Sequence, residues 1–277
     1  MRLRGVRRSR NVEDRRRSGG GAKAGIGGVG LLVVLAIGYF AGIDVTPLLQ
    51  QVPQQSTAPR ELTDAEQRAA EFSTRVLATT EDVWDVVFPE QLGVEYAAPT
   101  LVLYSGVTQS PCGGASGATG PFYCPADGKA YLDTDFFATL SRELGAKGDF
   151  AAAYVIAHEV AHHVQNELGL LGQVNEARRS ASQAEANALT VRLELQADCL
   201  SGVWAQKVGN LLEPGDLDEA LNAARRIGDD YLQKRAGRVP QPHTFTHGTS
   251  DQRERWFARG YKSGRIADCD TFGAQRL

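Results

Sequence analysis

The chain has 277 residues, 42% of them hydrophobic, and a formal net charge of −3. The charge is uneven: residues 1–23 hold nine Lys or Arg against Glu13 and Asp14, a net +7, so residues 24–277 carry −10. An acidic remainder gives nucleic acid no second foothold, which argues against a nucleic-acid-binding protein, while residues 61–277 suffice for one sizeable core.

After the basic arm of residues 1–23 comes Ala24 to Ile43, 20 residues without a charge, the length of one bilayer span. The basic flank predicts a single-pass topology with the arm in the cytoplasm and everything after Asp44 outside. A cleaved signal peptide is the rival reading, but the apolar run is long for one and no small-x-small site follows it. Gly38 and Gly42 form a small-xxx-small pair, a weak signal for a homodimer through the span. Residues 44–60, rich in Pro, Gln, Thr and Ser, predict a flexible linker.

Within residues 61–277, Thr63-Asp64-Ala65-Glu66 is a capping box opening a helix toward Thr80 that continues to Pro89. Residues 99–104, 122–124 and 129–132 are rich in β-formers and predict a small sheet. Helices are expected over 135–144, over 150–168 with Asp149 as N-cap and Gly169 as stop, over 183–208 and over 216–235. The pattern is α+β and mainly helical. Four cysteines without close CxxC spacing favour disulfides over a cysteine zinc site. Three pairings are open; the favoured one joins Cys112 to Cys124, bracketing the Gly-rich residues 113–117, and Cys199 to Cys269, pinning the C-terminal tail.

The chemistry concentrates in His158-Glu159-Val160-Ala161-His162. Residues four apart share one helix face, so both imidazoles can reach one metal ion. Zinc with two histidines takes a third protein ligand, commonly a carboxylate, and keeps an open position for water; Glu194 is the candidate. Glu159 sits beside the metal as general base for a zinc-activated water. Asp198, four residues after Glu194, can accept the remaining N–H of a ligating histidine, His158 foremost. A metzincin would carry Gly at 165 and His at 168; Gln165 and Leu168 exclude it. His163 points to another face. Of the two remaining histidines, His247, ahead of a helix N-cap at Thr249 or Ser250, is the candidate donor to a developing oxyanion. His243 is the second choice.

Taken in order, these segments resemble the bacterial putative neutral zinc metallopeptidases, a gluzincin-like group. The likeness runs through Ser9-Arg10-Asn11-Val12-Glu13-Asp14-Arg15-Arg16, Gly120-Pro121-Phe122-Tyr123-Cys124-Pro125, the histidine helix, Glu194-Leu195-Gln196-Ala197-Asp198-Cys199, His247-Gly248-Thr249-Ser250-Asp251-Gln252-Arg253 and Cys269-Asp270-Thr271-Phe272. It implies a zincin-like domain behind one transmembrane helix in a bacterial cell membrane. It also implies one zinc ion per chain on His158, His162 and Glu194, and Glu159 as base. The expected activity is hydrolysis of peptide bonds in peptides or unfolded proteins, which would add as a strand along an edge near Tyr131. The other class of function is a zinc-stabilised envelope interaction or quality-control module, its metal plugged by His247 as a fourth ligand.

Overall fold

In the computed structural model, which describes residues 1–17, 61–116, 120–142, 145–146 and 148–277, the chain begins with a short strand, β1 (Val12–Asp14). The helix α1 (Asp64–Leu92) follows. Its Thr63 side chain accepts from the Glu66 N–H and Glu66 accepts from the Thr63 N–H, a closed capping box. The helix runs through Pro89 and ends where Gly93 turns to φ 72°, a conformation that costs other residues a Cβ clash. Then come β2 (Thr100–Tyr104), β3 (Val107–Ser110), β4 (Gly113–Ser116), β5 (Phe122–Cys124) and β6 (Lys129–Asp133). The helices are α2 (Phe136–Arg142), α3 (Asp149–Glu167), α4 (Leu170–Ser180), α5 (Gln183–Lys207), α6 (Asp216–Arg226), α7 (Asp229–Arg235) and α8 (Ser250–Ser263).

A helix segment apolar on every face belongs in the middle of a fold, and Phe150 to Ala157 make the first half of α3 such a segment. Fourteen of its residues are buried, including the whole run Phe150 to His158. Phe150 stacks on Trp204 of α5 with ring centroids 5.6 Å apart. Helix α8 lies against α5 at two glycines. A Cβ on Gly260 would stand 1.8 Å from the Cys199 carbonyl oxygen, and one on Gly202 would stand 2.1 Å from the Phe257 carbonyl oxygen. Only hydrogen side chains permit that approach, and it brings α8 polar groups into the core. The Cys199–Cys269 disulfide fastens the C-terminal tail to α5, and Cys112–Cys124 ties the β3–β4 hairpin to β5.

The main sheet has the order β1-β2-β6-β5, parallel except for the β5–β6 pair. Strand β6 is hydrogen-bonded on both sides, so Tyr131 offers no edge; among the described residues the last strand on that side is β5. The expected substrate edge near Tyr131 is thereby removed.

The membrane topology needs the larger correction. The expected span, 24–43, and the expected linker, 44–60, lie outside the described residues. Among the described residues no helix is long and apolar enough to cross a membrane. A single-pass arrangement would put residues 1–23 and 61–277 on opposite faces of a bilayer, yet residues 1–17 are built into the same body. Val12 pairs with Leu101 and Asp14 with Leu103. Ser9 Oγ donates to Glu81 at 2.5 Å, Asn11 Nδ2 donates to Glu81 at 2.8 Å, and the Met1 amino group meets Asp149 at 2.8 Å. The positive charges read as a topology signal are in large part structural cations. Arg16 is buried, its guanidinium on Asp14 and the Glu66 carbonyl, and Arg15 is paired with Glu13. The expectation of a zincin-like domain behind a transmembrane helix, anchored in a cell membrane, gives way to a mostly helical α+β fold.

Two boundaries also differ. The N-cap of α3 is Gly148 and Asp149 is its first residue, with the Asp149 carboxylate taken up by the Met1 amine. The helix expected over 216–235 breaks at Ile227-Gly228, because Gly228 touches the start of α8 and a Cβ there would lie 2.5 Å from the Ser250 nitrogen.

Candidate active site

Helix α3 presents His158, Glu159 and His162 to a cleft of about 520 Å³, and α5 presents Glu194 from the other side. The two imidazoles lie 4.8 Å apart, centre to centre, with planes at 89°. His158 Nε2 is 3.1 Å from one Glu194 oxygen and His162 Nε2 is 3.5 Å from the other. Donor atoms of these three residues all lie within 4.8 Å of one another. Two imidazole nitrogens and one carboxylate are the donor set that zinc takes with a position left for water. The residues therefore fit the metal.

Behind His158 sits Asp198, fully buried, with Oδ1 2.9 Å from Nδ1. The pair is off the line of an ideal hydrogen bond, which leaves Nδ1 without a well-aligned partner; the separation is nonetheless that of a buried ion pair. Asp198 also accepts from the Tyr154 hydroxyl, from Arg253 Nε at 2.8 Å and from Arg253 Nη2 at 2.9 Å. Arg253 is 1% exposed, and a buried guanidinium needs such a bidentate partner. Burial pulls the His158 imidazolium down, but Asp198 and Glu194 outweigh it and hold its pKa up to about 10. Burial pushes the Glu194 carboxyl up, and His162 and His158 overcome that and keep it well below the usual range. Glu159 shows the opposite balance: burial wins over the histidines and its carboxyl is raised.

Behind His162 the support is a neutral amide. His162 Nδ1 is 2.8 Å from Gln165 Oε1, and Gln165 Nε2 donates to the Leu193 carbonyl at 2.8 Å and to Gln196 Oε1 at 3.0 Å. Gln165, read in the sequence only as excluding a metzincin, thus has a place of its own. One signal for it was available: a polar residue three positions after His162 and seven after His158, on the face that carries both histidines.

His247 lines the same cleft at the end of the loop before α8. Thr249 caps α8 with Gln252 completing a box. The loop is gathered by Asp229, whose Oδ2 accepts backbone N–H groups from Thr246, His247 and Gly248 at 2.8, 2.6 and 2.9 Å. Asp229 also raises the His247 pKa above its ordinary value. His247 Nδ1 faces Thr246 Oγ at 3.0 Å and Asp229 at 3.5 Å, and His247 is not part of the three-donor group. His243 is exposed outside the cleft, its carbonyl accepting from Asn187. His163 is buried away from the metal group: its Nε2 donates to the Ala97 carbonyl and its Nδ1 accepts from the Tyr123 hydroxyl. Asp229 and Gln196 give no signal in the sequence, because each acts through a partner distant in the chain.

Against known proteins, the family model described as putative neutral zinc metallopeptidase matches residues 1–272. The uncharacterized protein YpfJ of Escherichia coli strain K12 is 50% identical, with 99% of both chains aligned. The uncharacterized protein Rv2575 of Mycobacterium tuberculosis strain H37Rv and its counterpart Mb2605 in Mycobacterium bovis are 42% identical over 73% of this chain and 71% of theirs. No solved structure gives a significant match.

Proposed function

Since the chain belongs to the putative neutral zinc metallopeptidase family, we propose that it hydrolyses peptide bonds in the cleft where α3 faces α5, with zinc on His158, His162 and Glu194. The observation that carries this reading is the meeting of those three donors beside Glu159, a carboxyl whose burial raises its proton affinity.

When bound, zinc supplies Lewis acidity, which makes an attacking water a better nucleophile at neutral pH and polarises the scissile carbonyl. The chain's own groups do the rest. Glu159 accepts the proton of the attacking water, a task suited to a carboxyl whose burial raises its proton affinity. It then returns that proton to the leaving amine. Asp198, fixed by Arg253 and Tyr154, keeps a proton on His158 Nδ1 and so frees Nε2 to act as a ligand. His247, held by Asp229, donates to the oxygen on which charge develops. Strand β5, with Phe122 and Tyr123 in the cleft wall, receives the substrate as an extended segment. This favours peptides and unfolded chains.

The test is cleavage of a mixed peptide pool by the zinc-loaded full chain beside Glu159→Gln. Cleavage by the wild type that disappears in a variant retaining its zinc supports the reading. Equal turnover by both proteins, or none by the zinc-loaded wild type, refutes it.

A further inference from the structure

Two neighbouring ligands are supported by different chemistry: His158 by a carboxylate and His162 by a chain of two amides. The amide chain has a direction. It ends on the Cys269 carbonyl, to which Gln196 Nε2 donates at 3.1 Å, and it branches to the Leu193 carbonyl. Backbone carbonyls only accept hydrogen bonds. Gln196 must therefore turn its nitrogen to Cys269 and its oxygen to Gln165. Gln165 must then turn its nitrogen to Gln196 and Leu193, leaving only its oxygen for His162. An amide oxygen also only accepts, so His162 carries its proton on Nδ1 and keeps Nε2 free. Gln165 is fully buried and Gln196 is 7% exposed, so water offers no alternative partners that would let either amide flip. The far end is fixed as well: Cys269 is disulfide-bonded to Cys199, and Thr271 Oγ donates to the Arg192 carbonyl at 2.7 Å.

We propose that Gln165 is the positioning residue for the metal ligand His162, and that its orientation is dictated through Gln196 by the docked C-terminal tail. The proposal rests on His162 being a zinc ligand. The tail, none of whose residues lines the cleft, thus sets the tautomer of a ligand on α3.

The experiment is zinc affinity by chelator competition on the full chain, with unfolding of the metal-free proteins measured in parallel. Gln165→Ala should weaken zinc by about 10–100-fold, the range for loss of a group supporting a ligand. Gln196→Leu should weaken it by about tenfold, since Gln165 then loses the partner that orients it. Gln165→Glu keeps an acceptor for His162 and should bind zinc more tightly than Gln165→Ala. Wild-type affinity in Gln165→Ala or Gln196→Leu overturns the proposal. Should the variants not fold, a long-range ¹H–¹⁵N spectrum of the zinc-loaded wild type decides it: a slowly exchanging proton on His162 Nδ1 is expected, and a proton on Nε2 overturns it. A wild type that takes up no zinc strikes the peptidase reading together with this inference, whereas unchanged zinc binding in Gln165→Ala or Gln196→Leu strikes this inference alone.

Discussion

Replacing Arg253 with methionine isolates the electrostatic support of the site. Arg253 is 1% exposed and Asp198 is fully buried, and the two meet through hydrogen bonds of 2.8 and 2.9 Å. Removing Arg253 leaves buried Asp198 with only His158 and the Tyr154 hydroxyl, and removing Asp198 leaves the guanidinium without its carboxylate; breaking a buried pair costs up to about 3–5 kcal/mol. Arg253→Met and Asp198→Asn should each lose that much stability. Their combination leaves neither charge, so it should cost less than the sum by about 2–3 kcal/mol. The assay is urea unfolding of the metal-free wild type, both single variants and the double variant, at one pH and ionic strength. A cost below about 1 kcal/mol for Arg253→Met, or a cycle additive to within about 0.5 kcal/mol, would show that the pair does not carry the charge balance argued here.

Replacing both Cys199 and Cys269 with serine opens a loop of 70 residues, and the chain-entropy relation puts the loss at about 4 kcal/mol; an unchanged thermal midpoint would contradict it. Glu13 is held down to about 2 by Arg15 and then Lys129. A depressed carboxyl contributes stability that is complete above its unfolded value near 4.5 and disappears as pH falls toward 2. Amide-exchange protection of β1 should fall through that window in the wild type and less steeply in Glu13→Gln, and matching profiles would remove Glu13 as the anchor. Asp229→Ala deprives three backbone N–H groups of their acceptor, so turnover should drop by up to about 100-fold through misplacement of His247 while zinc content stays constant; unaltered turnover would separate the His247 loop from catalysis.

How much was legible in the sequence follows from the range over which each feature is determined. Thr63 and Glu66, or Thr249 and Gln252, form caps from residues three apart, so the residues themselves announce the helix starts. The spacing of His158 and His162 is likewise a property of one helix. The arm misled for the opposite reason. Its basic residues match the charge signature of a cytoplasmic flank, and nothing local shows that Arg16 reaches the Glu66 carbonyl, that Arg7 pairs with Glu81 and Asp82 or that Val12 to Asp14 add a parallel strand to β2. Such pairing forms between segments distant in the chain, and a three-residue strand has no periodicity to read.

The sequence by itself determined the capping boxes at Thr63 and Thr249, the apolar first half of α3 and the placing of His158 and His162 on one helix face, because these depend on neighbours within a turn or two. Tertiary structure alone decided that Glu194 approaches the two imidazoles, that Arg253 reaches Asp198 and that Gln165 is oriented from Cys269. Each of those depends on helices meeting at distances that only close packing sets, as at Gly202 and Gly260, where a single added Cβ would collide with backbone.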